Sequence, residues 1–316
     1  MINHQTDLSA NATVEPCSVK SDSLLRSACA WLPAISMFTS LTWGACLQAA
    51  YARDDQDEIP FKFTNFHFEV NASACDWGPQ ILFDTDGIVS GRVKDPRGRT
   101  VYVIGAKHGL KGIGGQTEGF LEAVEPVVEE LVIADPPLMC DVDPEEPVVT
   151  LDDMRAWFPE GTYEFEGRSV DGEEFDGTAE LTYVIPAGPY IIEPSDGENM
   201  VDPTIPLAIS WDPVTASIIP GLGVDGGNTV NIAGYHLVIK KFDESTGPLV
   251  SPQVDIDLPA DVTSVLVPAA YLEPSTMYEF EVLATEESGN QTITEGLVFC
   301  TTDSDGLNPL DPCELP

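Results

Sequence analysis

Hydrophobic and polar residues alternate along many short stretches of this chain. Within 234–241, Tyr235, Leu237 and Ile239 share one side, while His236, Val238 and Lys240 share the other. That period of two marks a half-buried strand, because successive side chains leave a strand on opposite faces. The same alternation recurs at 206–213, 254–258, 264–268, 272–284 and 292–301, with Gly, Pro, Asn and Asp between the segments. It predicts about seven short strands joined by turns. The earlier half repeats the pattern at 61–70, 81–83, 91–94, 101–104, 163–168 and 178–184. Turns are expected at Asp84-Thr85-Asp86-Gly87 and across 171–177. One short helix is expected over 151–157: Thr150 caps it, Asp153 gives a weak capping box, and Pro159-Glu160-Gly161 ends it. The pattern predicts an all-β protein of two β-sandwich domains in tandem.

Residues 27–52 carry no charged side chain, follow Lys20 and Arg26, and end on Ala50-Tyr51-Ala52. A basic flank, an apolar run and a small-x-small end are features of an export signal. Residues 1–52 are therefore read as a signal peptide, and the mature chain as secreted, extracellular or periplasmic. Two alternatives stay open: a retained membrane anchor, for which the run is long enough, and a lipid attached at Cys46. The remainder divides into an N-terminal β-sandwich-like domain at 53–188, a second domain at 189–302 and an acidic tail at 303–316. Ile185-Pro186-Ala187-Gly188-Pro189 reads as a short stiff linker.

Charge narrows the choice of partners. The 316 residues include 14 Lys+Arg against 53 Asp+Glu, a formal charge of −39. Removing 1–52 takes away two basic and three acidic residues, so the acidity belongs to the folded part. Such a surface repels phosphate backbones and anionic lipid; neither nucleic acid nor, after cleavage, a membrane span is expected. The expected partner is a protein or glycan at the cell surface or in the matrix, with self-assembly through free strand edges. Any partner chosen by charge is cationic.

Of the seven Cys, three fall in the leader. Cys75, Cys140, Cys300 and Cys313 remain, which allows three pairings. Cys75–Cys140 and Cys300–Cys313 keep each bridge within one region. The second would pin the tail and constrain the unfolded chain by roughly 3 kcal/mol. Zinc is the rival, but no Cys-x-x-Cys spacing is present.

The segment 189–302 resembles a fibronectin type III domain, an immunoglobulin-like sandwich. The residues that carry the resemblance are Trp211, Tyr235 and the run Leu272, Pro274, Thr276, Tyr278, Phe280, Val282 and Ala284. The resemblance implies that Trp211 packs the core and that the Tyr278 hydroxyl bonds backbone upstream of it, forming a tyrosine corner. The N-terminal half is similar to the corresponding region of secreted bacterial proteins that carry such a domain behind it. Its shared elements are Phe158-Pro159-Glu160-Gly161-Thr162-Tyr163, Thr117-Glu118-Gly119-Phe120-Leu121-Glu122 and Glu125-Pro126. Both resemblances imply a spacer or binding role and no chemistry, since function on this fold sits in variable loops.

Candidate chemistry is sparse. The Gly-rich run 105–117 carries Lys107, His108 and Lys111 but lacks the Gly-Lys-Ser/Thr ending of a phosphate loop. His67, His108 and His236 have no metal-ligand spacing. Oxygen ligands clustered on a turn suit calcium, and Asp303, Asp305, Asn308 and Asp311 are its candidate site, with Asp84 and Asp86 a second. Trp77, beside Cys75 and Gly78-Pro79, is a candidate sugar contact, with packing on the disulfide as the alternative. Asn71 and Asn290 head glycosylation triplets. The sequence reads as a non-enzymatic binding, adhesion or assembly module needing no cofactor, except calcium if that site is used. A carbohydrate-binding accessory protein is the alternative, and a hydrolase centred on His108 and Glu118 the third reading.

Overall fold

The computed structural model describes residues 58–133, 140, 147–195, 200–241 and 253–303. Arg53–Pro316 forms one compact unit. The leader and Asp305, Asn308, Asp311 and Cys313 lie outside the described residues. No helix among the described residues is long and apolar enough to cross a membrane.

The first half contains β1 (Ile59–Pro60), β2 (Phe63–Asn71), β3 (Asp76–Ile88), β4 (Ser90–Lys94), β5 (Thr100–Gly105), α1 (Gly109–Gly112), β6 (Gln116–Glu122), β7 (Val127–Val128), α2 (Glu129–Val132), β8 (Val148–Val149), α3 (Leu151–Trp157), β9 (Gly161–Arg168) and β10 (Glu174–Leu181). One sheet runs β1-β10-β9-β4-β5; facing it, β3 pairs with β2, β6 and β7. Alternation places Phe66, Phe68 and Val70 of β2 in the core with Trp77, Ile81 and Phe83 of β3. Phe66 stacks on Tyr163 across the two sheets, ring centroids 4.1 Å apart.

The second half contains β11 (Ile191–Glu193), β12 (Met200–Val201), β13 (Leu207–Trp211), β14 (Ile232–Lys241), β15 (Gln253–Pro259), β16 (Ser264–Val267), β17 (Met277–Glu286), β18 (Gln291–Glu295) and β19 (Phe299–Thr301). Strands β11-β13-β16 form one sheet. Opposite, β15-β14-β17 continues through β18 and β19, which both pair with β17. This is an immunoglobulin-like sandwich. Trp211 and Tyr235 meet in its core with centroids 5.4 Å apart. The Tyr278 hydroxyl accepts the Glu273 N–H at 2.8 Å and donates to the Tyr271 carbonyl at 3.3 Å, making the corner.

One turn expected from an Asp-Gly pair lies inside a strand, and the other is tighter than its expected span. Asp84-Thr85-Asp86-Gly87 belongs to β3: Asp84 pairs with β2 and β6, and residues 85–87 form an irregularity in the register with β6, Gly87 at φ 127°. Lys62 Nζ lies 2.6 Å from Asp86 and 3.9 Å from Asp84, so these carboxylates answer a lysine. The turn expected across 171–177 joins β9 to β10 at 169–173, where Ser169 donates its N–H to the Glu173 carbonyl at 3.0 Å, while Asp176 and Gly177 already lie within β10. The helix over 151–157 forms as expected: Thr150 Oγ1 accepts the Asp153 N–H at 3.2 Å, and Asp153 Oδ2 accepts the Thr150 N–H at 3.1 Å.

The two cores are not joined by a linker. Ile185 is fully buried in the first core and donates its N–H to the Leu222 carbonyl at 3.1 Å. Ile218 and Leu222, from the Gly-rich loop of the second half, also enter that core. Gly188 is required by close approach: a Cβ there would lie 2.3 Å from Thr294 Oγ1 and 2.9 Å from Ala72 Cβ. Strand β18 then pairs in parallel with β2, Gln291 opposite Glu69 and Ile293 opposite Asn71, so one sheet runs through both sandwiches.

Asn290 locks this seam. It is 1% exposed; its Oδ1 accepts the Phe68 N–H at 2.8 Å, and its Nδ2 donates to the Val184 carbonyl at 2.9 Å and the Thr182 carbonyl at 3.1 Å. Its amide is thus used internally and is not a glycan acceptor in the folded chain. Asn290→Ala strands one donor and two acceptors, each expensive to leave unpaired in a buried setting. The expected loss is about 2–4 kcal/mol in urea unfolding; a loss of under about 0.5 kcal/mol would match an ordinary surface site instead.

Candidate functional site

The outer face of the large sheet should be solvated on the alternation rule, yet part of it is buried. His67 and Glu69 leave β2 away from the core, and Gln80 of β3 lies opposite His67; all three are below 9% exposed. The cover is the segment 123–126. Ala123 donates its N–H to the Pro79 carbonyl at 3.2 Å, and Trp77 donates to the Pro126 carbonyl at 3.2 Å. This straps the segment along β3 and turns Glu125 back over the sheet. Gly78 makes room: a Cβ there would lie 2.5 Å from Glu125 Cγ.

Three carboxylates converge as a result. Glu69, Glu122 and Glu125 each offer an oxygen within 4.8 Å of the others. Gln291 of β18 donates to Glu69. Glu125 Oε1 is buried with no hydrogen-bond partner. Burial, then the charges of Glu69, Asp76 and Glu122, push the Glu125 carboxyl up to about 8. Burial also raises Glu69, opposed by the hydrogen bond from Gln291. His67 is held low, at about 4, by burial against a hydrogen bond with Gln80, and is neutral at pH 7. The corner therefore holds a proton or meets a cation; it disfavours anions.

Next to the carboxylates the same segment turns apolar. Pro79, Ala123, Val124, Pro126, Pro147, Val149, Met154, Trp157 and Phe158 line a groove of about 380 Å³. Val124 is 82% and Trp157 49% exposed. The platform under Trp157 is braced from three directions. Arg97 donates to the Ala156 carbonyl at 3.0 Å, Tyr183 Oη to the Phe158 carbonyl at 3.0 Å, and Phe158 packs on Phe66 and Phe68. Acidic groups ring it: Glu122 and Glu125 flank Ala123-Val124, Asp152 and Asp153 open α3, and Glu130 accepts the Leu151 N–H at 2.9 Å. A second depression, about 440 Å³, lies over Gly91 and Gly167 on the outer face of the five-stranded sheet. Its two arginines are already paired, Arg92 with Glu166 at 2.5 Å and Arg168 with Glu174.

The residues singled out from sequence fall elsewhere. Trp77 is fully buried, edge-on to Phe68 at 5.3 Å and packed on Tyr183, so it is a core residue and not a sugar contact. Its place on the core-facing register of β3 is the reason. Cys75 and Cys140 form a disulfide beside it, Cα atoms 5.6 Å apart. Cys300 is fully buried and disulfide-bonded. Asp303 is half-buried behind β19; the other calcium candidates lie outside the described residues. His108 and Glu118 are both exposed, on the Gly-rich loop and β6. His236 pairs across the strands with Asp255.

The Glu125 shift has a definite sign. A carboxyl that keeps its proton to about pH 8 when folded, but loses it near 4.5 when unfolded, binds more protons in the folded state across that window. Stability therefore falls as pH rises from about 4.5 to about 8 and levels off above. Glu125→Gln should flatten this slope and stabilise the chain by roughly 1–2 kcal/mol above pH 8, read from thermal unfolding at a series of pH values. An unchanged slope would mean that Glu125 ionises freely.

No family model matches the chain, and no curated protein matches it. Among solved structures, the chain is similar to the FN1–FN3 domains of chicken CNTN1, at 10% identity and a TM-score of 0.29, covering 78% of this chain and 68% of that one. It is also similar to the FN5 domain of Drosophila Lar, at 16% identity and a TM-score of 0.24, covering 37% of this chain and 98% of that one. The fold assignment rests on the strand order and the tyrosine corner, not on these scores.

Proposed function

We propose that this chain is a non-enzymatic, exported binding module whose N-terminal sandwich takes a cationic, partly apolar peptide segment in the groove beside Trp157. The observation that carries this reading is the junction of two surfaces on one strap. Ala123, Val124 and Pro126 supply apolar wall, while Glu122 and Glu125 supply crowded carboxylates. A ligand that lays aliphatic carbons on Val124 and Trp157 and brings an ammonium or guanidinium to Glu122 satisfies both, and offsets the negative charges that add to burial in raising Glu125. The groove volume of about 380 Å³ falls within the usual range of ligand sites, about 300–1,000 Å³. A braced aromatic at the rim is the kind of residue that dominates binding energy. The Cys75–Cys140 disulfide supports an oxidising compartment. Glu125 Oε1 is closed off from solvent and Glu122 is the exposed member of the three, so a cationic group on a ligand meets the cluster at Glu122.

Trp157 provides a direct readout. Arg53–Pro316 holds three of the five Trp, of which Trp77 and Trp211 are buried and Trp157 is half exposed, so acrylamide quenching of that segment reports Trp157. A short Lys- and Leu-containing peptide should protect it from quenching, and Trp157→Ala should weaken peptide binding by roughly 10-fold or more. Equal binding by an acidic peptide of the same apolar content, or by Trp157→Ala, would overturn the reading.

A further inference from the structure

The Gly-rich loop between β5 and β6 is the odd surface of this molecule. Residues 107–113 are all exposed, and they include Leu110 at 55% and Ile113 at 82%. Among the described residues, Lys107 and Lys111 are the two basic side chains with no ion pair, hydrogen bond or aromatic contact. The other described Lys and Arg are each engaged by a carboxylate, a carbonyl or a ring. Among the described residues, a chain with 53 acidic residues thus leaves its free cations together on one loop, interleaved with two exposed aliphatics.

This composition is the complement of the groove, which is apolar with an acidic margin. The two lie at opposite ends of β3. The groove includes Pro79, while the loop ends against Ile88, where a Cβ on Gly115 would meet the Ile88 carbonyl. Nine residues of strand separate them, roughly 30 Å at about 3.3 Å per residue. The loop therefore does not fold back into its own groove.

We infer that residues 107–113 of one copy dock in the groove beside Trp157 of a second copy, so that the protein associates head to tail. Leu110 and Ile113 lie against Val124 and Trp157, and Lys107 and Lys111 approach Glu122, Glu125 and Asp152. The contact is heterologous: each docking event leaves one tip and one groove unused, so the complex grows instead of closing as a two-fold dimer. The interface is small and charge-assisted, so association is weak and weakened further by salt. This inference rests on the groove reading above and adds the identity of the ligand.

The test is sedimentation velocity on Arg53–Pro316, the compact unit holding both cores. Across about 10–300 µM at low ionic strength, the average mass should rise continuously past that of a dimer, and about 0.5 M salt should return it towards monomer. Lys107→Glu/Lys111→Glu and Val124→Asp/Trp157→Ala should each be monomeric while melting like the parent. Mixing these two variants should yield a heterodimer and nothing larger, since one keeps only its groove and the other only its tip. A parent that stays monomeric throughout would overturn the inference, as would a tip variant that still assembles. So would a monomer whose lysines instead bind vesicles containing phosphatidylserine. A synthetic peptide of residues 105–115 separates the two levels of failure. If it binds in a Trp157-dependent way while the chain stays monomeric, the groove reading stands and the assembly is wrong. If neither it nor any cationic peptide binds, both are wrong.

Discussion

The hydrogen bonds between β18 and β2 are the constraint from which the rest of this structure follows. Each sandwich ends on a strand whose outward N–H and C=O groups need partners, and a bare edge is an invitation to aggregation. Here the two edges satisfy each other, with Gln291 opposite Glu69 and Thr292 opposite Val70. Asn290 then binds the Phe68 N–H and the Val184 carbonyl, and Thr292 Oγ1 donates to the Pro186 carbonyl at 2.6 Å. The residues between the halves are thereby built into the seam, and Ile218 and Leu222 cross it to complete the neighbouring core.

The candidate site depends on that seam. Gln291 reaches Glu69 only because β18 is adjacent to β2. On the other side of Glu69, Gly78 lets the 123–126 strap lay Glu125 over the sheet. The carboxylates are thus crowded from two directions, by a strand from one sandwich and a strap from the other. The strap's remaining residues, Ala123, Val124 and Pro126, have nothing to cover and form a wall of the groove. The proposed peptide site thus rests on an acidic corner and an apolar trough laid side by side on one sheet.

Much of the fold was legible in the residues because alternation is a local property. Tyr235, Leu237 and Ile239 face the second core as their spacing requires, the Tyr278 corner forms, and Thr150 caps the helix at 151–157. Asp-Gly pairs misled at Gly87, which sits at φ 127° in a register irregularity inside β3 and does not reverse the chain, and at Gly177, which lies in β10 and pairs with Phe165. The site was not legible. His67, Glu69 and Gln80 sit at polar positions of alternating strands, and nothing local says that a strap and a foreign strand will bury them. Trp77 looked loop-exposed beside Pro79, but β3 begins at Asp76, which puts it in the core register. The one advance signal was composition: Lys107 and Lys111 stood close together in a chain short of cations, interleaved with Leu110 and Ile113.

Scanning calorimetry of Arg53–Pro316 tests the shared seam most directly. If the two sandwiches are held as one cooperative body, unfolding gives a single transition whose calorimetric and van't Hoff enthalpies agree. Two resolved transitions, or a segment 189–303 that melts by itself at the temperature it shows within the whole, would contradict it.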